Sequence, residues 1–191
     1  MYRQLFILLY QLITNPVATW KILSEKQHKN SNNEDFYKNY LFPIIGIIAL
    51  LSFIGIVIHG KGFDVQLALK TVLKNVMIYG GSFYFISFFL SEFIYPRFEL
   101  EKDKISSELF VGYSSVLIYV VAMLKGLMPF LFFLDIFSIY SVYIIWTGAS
   151  SFLALKEELW IKFTIFAGIL ILLTPYLLNL LINLLMPGMR I

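Results

Sequence analysis

Five stretches of this chain run almost without charge, at residues 41–58, 76–95, 109–124, 129–148 and 160–186, and their only charged side chains are Glu92, Asp135 and Lys162. At about 1.5 Å per helical residue, such runs match a hydrocarbon core of about 30 Å, the shortest (109–124) only nearly so. They therefore predict an all-α, polytopic integral membrane protein with five transmembrane helices. The prolines agree with the division. Pro43 and Pro129 fall in first helical turns, and Pro96 and Pro187 fall just past helix ends. Pro175 alone lies inside a span, where it removes the hydrogen bond to the Ile171 carbonyl and should bend the helix.

Between the spans the pattern turns amphipathic. Leu5, Leu8, Leu9, Leu12 and Ile13 make an apolar face too short to cross a bilayer. Gln11 interrupts that run and no small-x-small cleavage site follows, so it reads as a surface helix and not as a secretion signal. Asn15-Pro16 then restarts a helix, with Asn15 as its cap, and Trp20 on this second piece is expected either at the headgroup level or against the bundle. "KQHKNSNNED" follows as a polar linker. After the first span, "DVQLALKTVLKN" alternates apolar and polar faces and is expected to lie on the membrane surface, capped by Asp64. "ELEKDKISSE" at 99–108 is expected to be a solvated connection. The organisation expected is a cytoplasmic segment of interfacial helices and linker over 1–39, then a five-helix transmembrane domain over 40–191, with no internal repeat.

Composition sharpens the class. Hydrophobic residues make up 59% of the 191 positions and charged residues 14%, against roughly 25% in globular chains, and the mean hydropathy is +0.79. The net charge is only +3 and the basic residues are scattered between apolar blocks, which argues against nucleic acid as a partner. With the N-terminus inside, ten Lys and Arg fall on the inner side (Arg3, Lys21, Lys26, Lys29, Lys38, Arg97, Lys102, Lys104, Lys156, Lys162). Five fall outside (Lys61, Lys70, Lys74, Lys125, Arg190). The positive-inside rule then gives a cytoplasmic N-terminus and a C-terminus on the opposite side. Trp20, Trp146 and Trp160 fall together at the inner interface, as an aromatic belt would.

Several of these features, in this order, resemble the Yip family, the Ypt- or Rab-interacting membrane proteins that share the Yip-one domain. The matching residues are "NPVATW" with Asn15, Pro16 and Trp20, "YLFP" entering the first span, the pair Gly80-Gly81, and "YSVYIIWTG" with Tyr140, Ser141 and Tyr143. The resemblance implies a five-span domain with a cytoplasmic N-terminus. It also makes those eight named residues candidates for binding. Trafficking members bind small GTPases, but this chain has only about 40 residues before its first span and no long acidic or proline-rich tail. The closer likeness is to bacterial relatives, which implies a bacterial cytoplasmic membrane.

Candidate chemistry is sparse. The histidines are His28 in the linker and His59 at the end of the first span, placed for neither an intramembrane base nor a metal pair. "GYSS" at 112–115 looks like a nucleophile turn but reads better as packing surface, as do Ser87 with Ser91 and Thr164 with Gly168. Cysteine is absent, and no cofactor motif occurs. The intramembrane carboxylates remain, since an ionised group at a helix centre costs about 2.5–3.5 kcal/mol. Glu92 has Arg97 near it in sequence and Asp135 has Lys125, so both are expected to snorkel or to pair, with hydroxyl groups as the other compensation for Asp135. Their different depths disfavour a shared proton or cation site. The function expected is a non-enzymatic protein that recruits or organises partners or membrane lipids at the inner face. The alternative is a small transporter or channel subunit with a polar path through Glu92, Asp135, Tyr113 or Tyr140.

Overall fold

The computed structural model describes residues 2–29, 34–59, 64–186 and Gly188, with His28 and Lys29 by backbone alone. All elements among the described residues are helical. Two short helices, α1 (Tyr2–Thr14) and α2 (Pro16–Lys29), precede α3 (Glu34–His59) and α4 (Val65–Phe98). Then come α5 (Lys104–Ser114), α6 (Val116–Leu127), α7 (Pro129–Ser151) and α8 (Glu157–Leu185). The helices α3, α4, α7 and α8 are each long and apolar enough to cross a membrane, and α5 with α6, bent by 48° at their junction, makes a fifth when the pair is counted as one span. The chain is thus an all-α polytopic membrane protein. The bend falls at Ser115, inside "GYSS".

One expectation is overturned in α4. Val65 to Phe89 is a single α-helix, so the segment expected on the surface is the first part of the second span. Asp64 does cap it, its Oδ1 accepting from the Leu67 amide at 3.0 Å. The polar face that suggested a surface helix serves the inside of the bundle instead: Lys74 is buried and donates to Asn183 Oδ1 at 2.9 Å. The proline in α8 leaves the helix continuous from Glu157 to Leu185. The polar linker is shorter than its composition suggests, because α2 extends to Lys29 and α3 starts at Glu34; residues 30–33 lie outside the described residues. Lys61, Pro187 and Arg190, read above for topology or helix ends, lie outside them as well.

Five spans close a ring. α3 packs on α4, α4 on α8, α8 on α7, α7 on α6, and α6 back on α3. The tightest seam is between α3 and α6, where a Cβ placed on Gly55 would lie 2.0 Å from the Gly126 carbonyl oxygen. Here the two backbones touch, as small residues allow between membrane helices. Thr164 and Gly168 serve the α7–α8 seam, with the Gly168 position 3.7 Å from Val142 Cγ2. Two wide π turns, at Tyr37–Leu41 and Leu90–Ile94, lie in α3 and α4 on the N-terminal face. A left-handed residue, Glu99 (φ 60°), then ends α4, and its carboxylate pairs with Lys156 and raises that ammonium above the ordinary lysine range.

Candidate functional site: a blind polar cavity and an aromatic plug

The two halves of the ring are filled differently. Toward the N-terminal face the interior is aromatic. Trp20 is completely buried, stacks on Phe110 at 5.6 Å, and touches Phe152 at 5.1 Å and Tyr113 at 6.0 Å. Phe36, Tyr40 and Tyr113 continue the cluster, with ring centres 4.7–5.4 Å apart. Gly112 lets the Phe36 ring in, since a Cβ there would fall 2.4 Å from Phe36 Cζ, and the Tyr40 hydroxyl donates to the Gly112 carbonyl at 3.1 Å.

Trp20 is held by the segment 140–148. Its Nε1 donates to the Ile144 carbonyl at 3.0 Å, and Gly148 leaves room for the indole, a Cβ there lying 2.8 Å from Trp20 Cε2. The Tyr140 hydroxyl donates to the Ile13 carbonyl at 3.1 Å, at the break between α1 and α2. "NPVATW" and "YSVYIIWTG" thus meet as one joint. Ser141 is buried at its edge, and Tyr143 is exposed against Tyr140 with centres 5.4 Å apart. Asn15 weakly caps α2, its Oδ1 3.4 Å from the Ala18 amide, and Pro16 opens that helix. Gly80 and Gly81 lie elsewhere, where an added Cβ would stand 3.6 Å from Ile45 Cδ1 and 3.4 Å from Leu178 Cδ1, ordinary contact distances. The belt expectation changes accordingly. Trp146 and Trp160 meet each other at 6.3 Å and are partly exposed, while Trp20 plugs the bundle.

Away from the N-terminal face the ring is hollow. A cavity of about 380 Å³ is lined by all five spans at the end where α3 and α6 finish and α4 and α7 begin. Its polar lining comprises Lys74 and Asn75 on α4, Lys125 on α6, Asp135 on α7 and Asn179 on α8, together with Tyr79 and Tyr176. The Lys125 ammonium grips both Asp135 carboxylate oxygens at 2.8 and 2.7 Å, the pairing expected from sequence. Both side chains are about a third exposed, at 30% and 33%. Asn75 donates to Ser52 Oγ at 2.7 Å, stitching α4 to α3 at the wall. Pro175 also faces this space, so the Ile171 carbonyl, which this proline leaves without its helical donor, belongs to the helix that completes the cavity wall.

Glu92 takes no part in it. Its carboxylate pairs with Lys102 at 2.6 Å, not with Arg97, because the reversal at Glu99 returns Lys102 toward α4 while Arg97 sits exposed in the turn Tyr95–Phe98. Glu92, Tyr113 and Tyr140 therefore lie in three separate surroundings, and only Asp135 of the four residues of the expected polar path reaches the cavity. Sequence reasoning missed Lys74, Asn75 and Asn179 here. The signal available was the conflict of two lysines on a stretch continuous with a span. It also passed over Glu108, buried between Lys104 at 3.7 Å and the Tyr37 hydroxyl. Among the described residues no three His, Cys, Asp or Glu side chains gather as a metal site. No family model, curated protein or solved structure matches this chain.

Proposed function

We propose that the chain is a non-enzymatic, multi-pass membrane protein whose working part is the blind cavity, which binds a small polar or amphipathic molecule. The observation that carries this reading is the collection of charged and amide side chains from four separate helices around one space. Burying such groups is expensive in a membrane protein unless they serve one another or a ligand. The aromatic plug around Trp20 stops the cavity on the N-terminal side, so binding, or the outer half of a transport path, fits better than an open channel. The absence of cysteine makes the test clean. In spheroplasts or oriented vesicles, Ser138→Cys on the cavity wall should react with a small membrane-impermeant methanethiosulfonate added on the side opposite the N-terminus. Ser141→Cys, one turn deeper in the plugged half, should not. A Ser138→Cys protein that stays unlabelled from that side would sink the reading.

A second reading is favoured by the Trp20 joint. Because α1 shares the core through Leu5, Leu9 and Leu12, it is a fixed shelf with Tyr2, Phe6 and Tyr10 turned outward at helical spacing. That geometry supports a Yip-one-domain type of protein whose shelf organises lipid or a protein partner at the cytoplasmic face. A photo-crosslinking residue at Tyr10 separates the two occupants: lipid adducts alone would remove the protein partner.

A further inference from the structure

The geometry points to an anionic ligand for the cavity: an oxyanion of the phosphate-ester kind, met by the ammonium of Lys74. This rests on the reading of the cavity as a binding place and adds the class of molecule.

The charge balance comes first. Lys125 and Asp135 cancel one another through two hydrogen bonds, which leaves Lys74 as the charge on the cavity wall that has no carboxylate partner among the described residues. Lys74 is buried, at 8% exposure, and among the described residues it has no carboxylate within ion-pair distance. Its one hydrogen bond goes to the neutral amide oxygen of Asn183. An ammonium has three donor protons, so two remain for a ligand. Burying such a charge costs several kcal/mol unless an opposite charge joins it. The wall thus has a vacancy for one negative charge and none for a positive one.

Size and lining narrow the class. About 380 Å³ is far more than a halide needs. Ile56, Ile78 and Leu172 line the same space as Lys74, so an organic substituent is accommodated next to the charge. Lysine recognises phosphate as a point charge, and basic pockets between membrane helices take up lipid headgroups. Free phosphate and an anionic phospholipid headgroup share this chemistry.

The test uses full-length protein purified in detergent and in nanodiscs. Thermal unfolding and native mass spectrometry would follow phosphatidylglycerol, zwitterionic phosphatidylcholine and inorganic phosphate as separate additions. Phosphatidylglycerol or phosphate, but not phosphatidylcholine, is expected to bind and raise the unfolding temperature. Stabilisation by phosphatidylglycerol alone assigns the headgroup source, and stabilisation by phosphate assigns the free anion. Lys74→Gln should weaken the effect about tenfold or more, as expected for losing a charge-assisted bond. Lys74→Arg should retain it, and Asp135→Asn, which frees the second lysine, should strengthen it. If Lys74→Gln proves too unstable to assay, the Lys74→Arg and Asp135→Asn pair decides. An anion affinity unchanged in Lys74→Gln, or not strengthened in Asp135→Asn, overturns the anionic class. Labelled Ser138→Cys with no anion effect would condemn this inference alone, whereas unlabelled Ser138→Cys would remove the binding cavity with it.

Discussion

The indole of Trp20 donates its Nε1 proton to the carbonyl of Ile144, 124 residues later in the chain, at 3.0 Å. That bond and the stacking on Phe110 make the N-terminal segment part of the bundle, and they close one half of the ring. Trp20→Ala removes a fully buried side chain and should lower stability by about 3–5 kcal/mol. Trp20→Phe keeps most of the packing and should cost about 1 kcal/mol, since Thr147 Oγ1 also donates to the Ile144 carbonyl, at 2.9 Å. Thermal unfolding in detergent measures both; equal loss in the two variants would mean that the hydrogen bond, not the ring, holds the joint.

The glycines give a contrast within one protein. Gly55→Ala must push α3 from α6, because the new methyl would meet a backbone oxygen at 2.0 Å, and a loss of about 3 kcal/mol is expected. Gly80→Ala places its methyl 3.6 Å from Ile45 Cδ1 and should stay within about 1 kcal/mol of the parent. Chemical unfolding of the two variants side by side checks the order.

The two intramembrane carboxylates should respond differently. Asp135→Asn leaves an amide oxygen to accept from Lys125 and should change stability by less than about 1 kcal/mol, while Lys125→Leu strands the carboxylate beside Tyr79 and Tyr176 and should cost about 1–3 kcal/mol. Glu92→Gln breaks a pair whose side chains are 41% and 56% exposed, and an effect within about 0.5 kcal/mol is expected. Unfolding temperatures of the three variants test the ranking.

Topology follows from the charge asymmetry, with the N-terminus expected inside and the C-terminus opposite. Lys74 and Lys125, both counted on the outer side, line the cavity wall. Reporter fusions at Met1 and Ile191 should read opposite compartments. Both ends on one side would mean that α5 and α6 form a re-entrant pair and not a span.

The chain alone reveals what each segment does in isolation. Transfer of an apolar run into lipid is a property of that run, so the long apolar helices of a polytopic membrane protein were legible, as were the Asp64 cap and the break at Asn15-Pro16. The Lys125–Asp135 pair was legible too, because only ten residues and one turn separate the partners. Tertiary structure decided everything that depends on which helix neighbours which. It set Trp20 against the bundle, the one of its two expected places that lies away from the headgroups, gave Glu92 to Lys102, and made Gly55 a critical glycine where Gly80-Gly81 had the more conspicuous spelling. It also turned Lys74 from a surface charge into a cavity wall. An amphipathic pattern says that one face of a helix is polar; it does not say whether water outside or a hollow inside receives that face, and only closure of the ring supplies the answer.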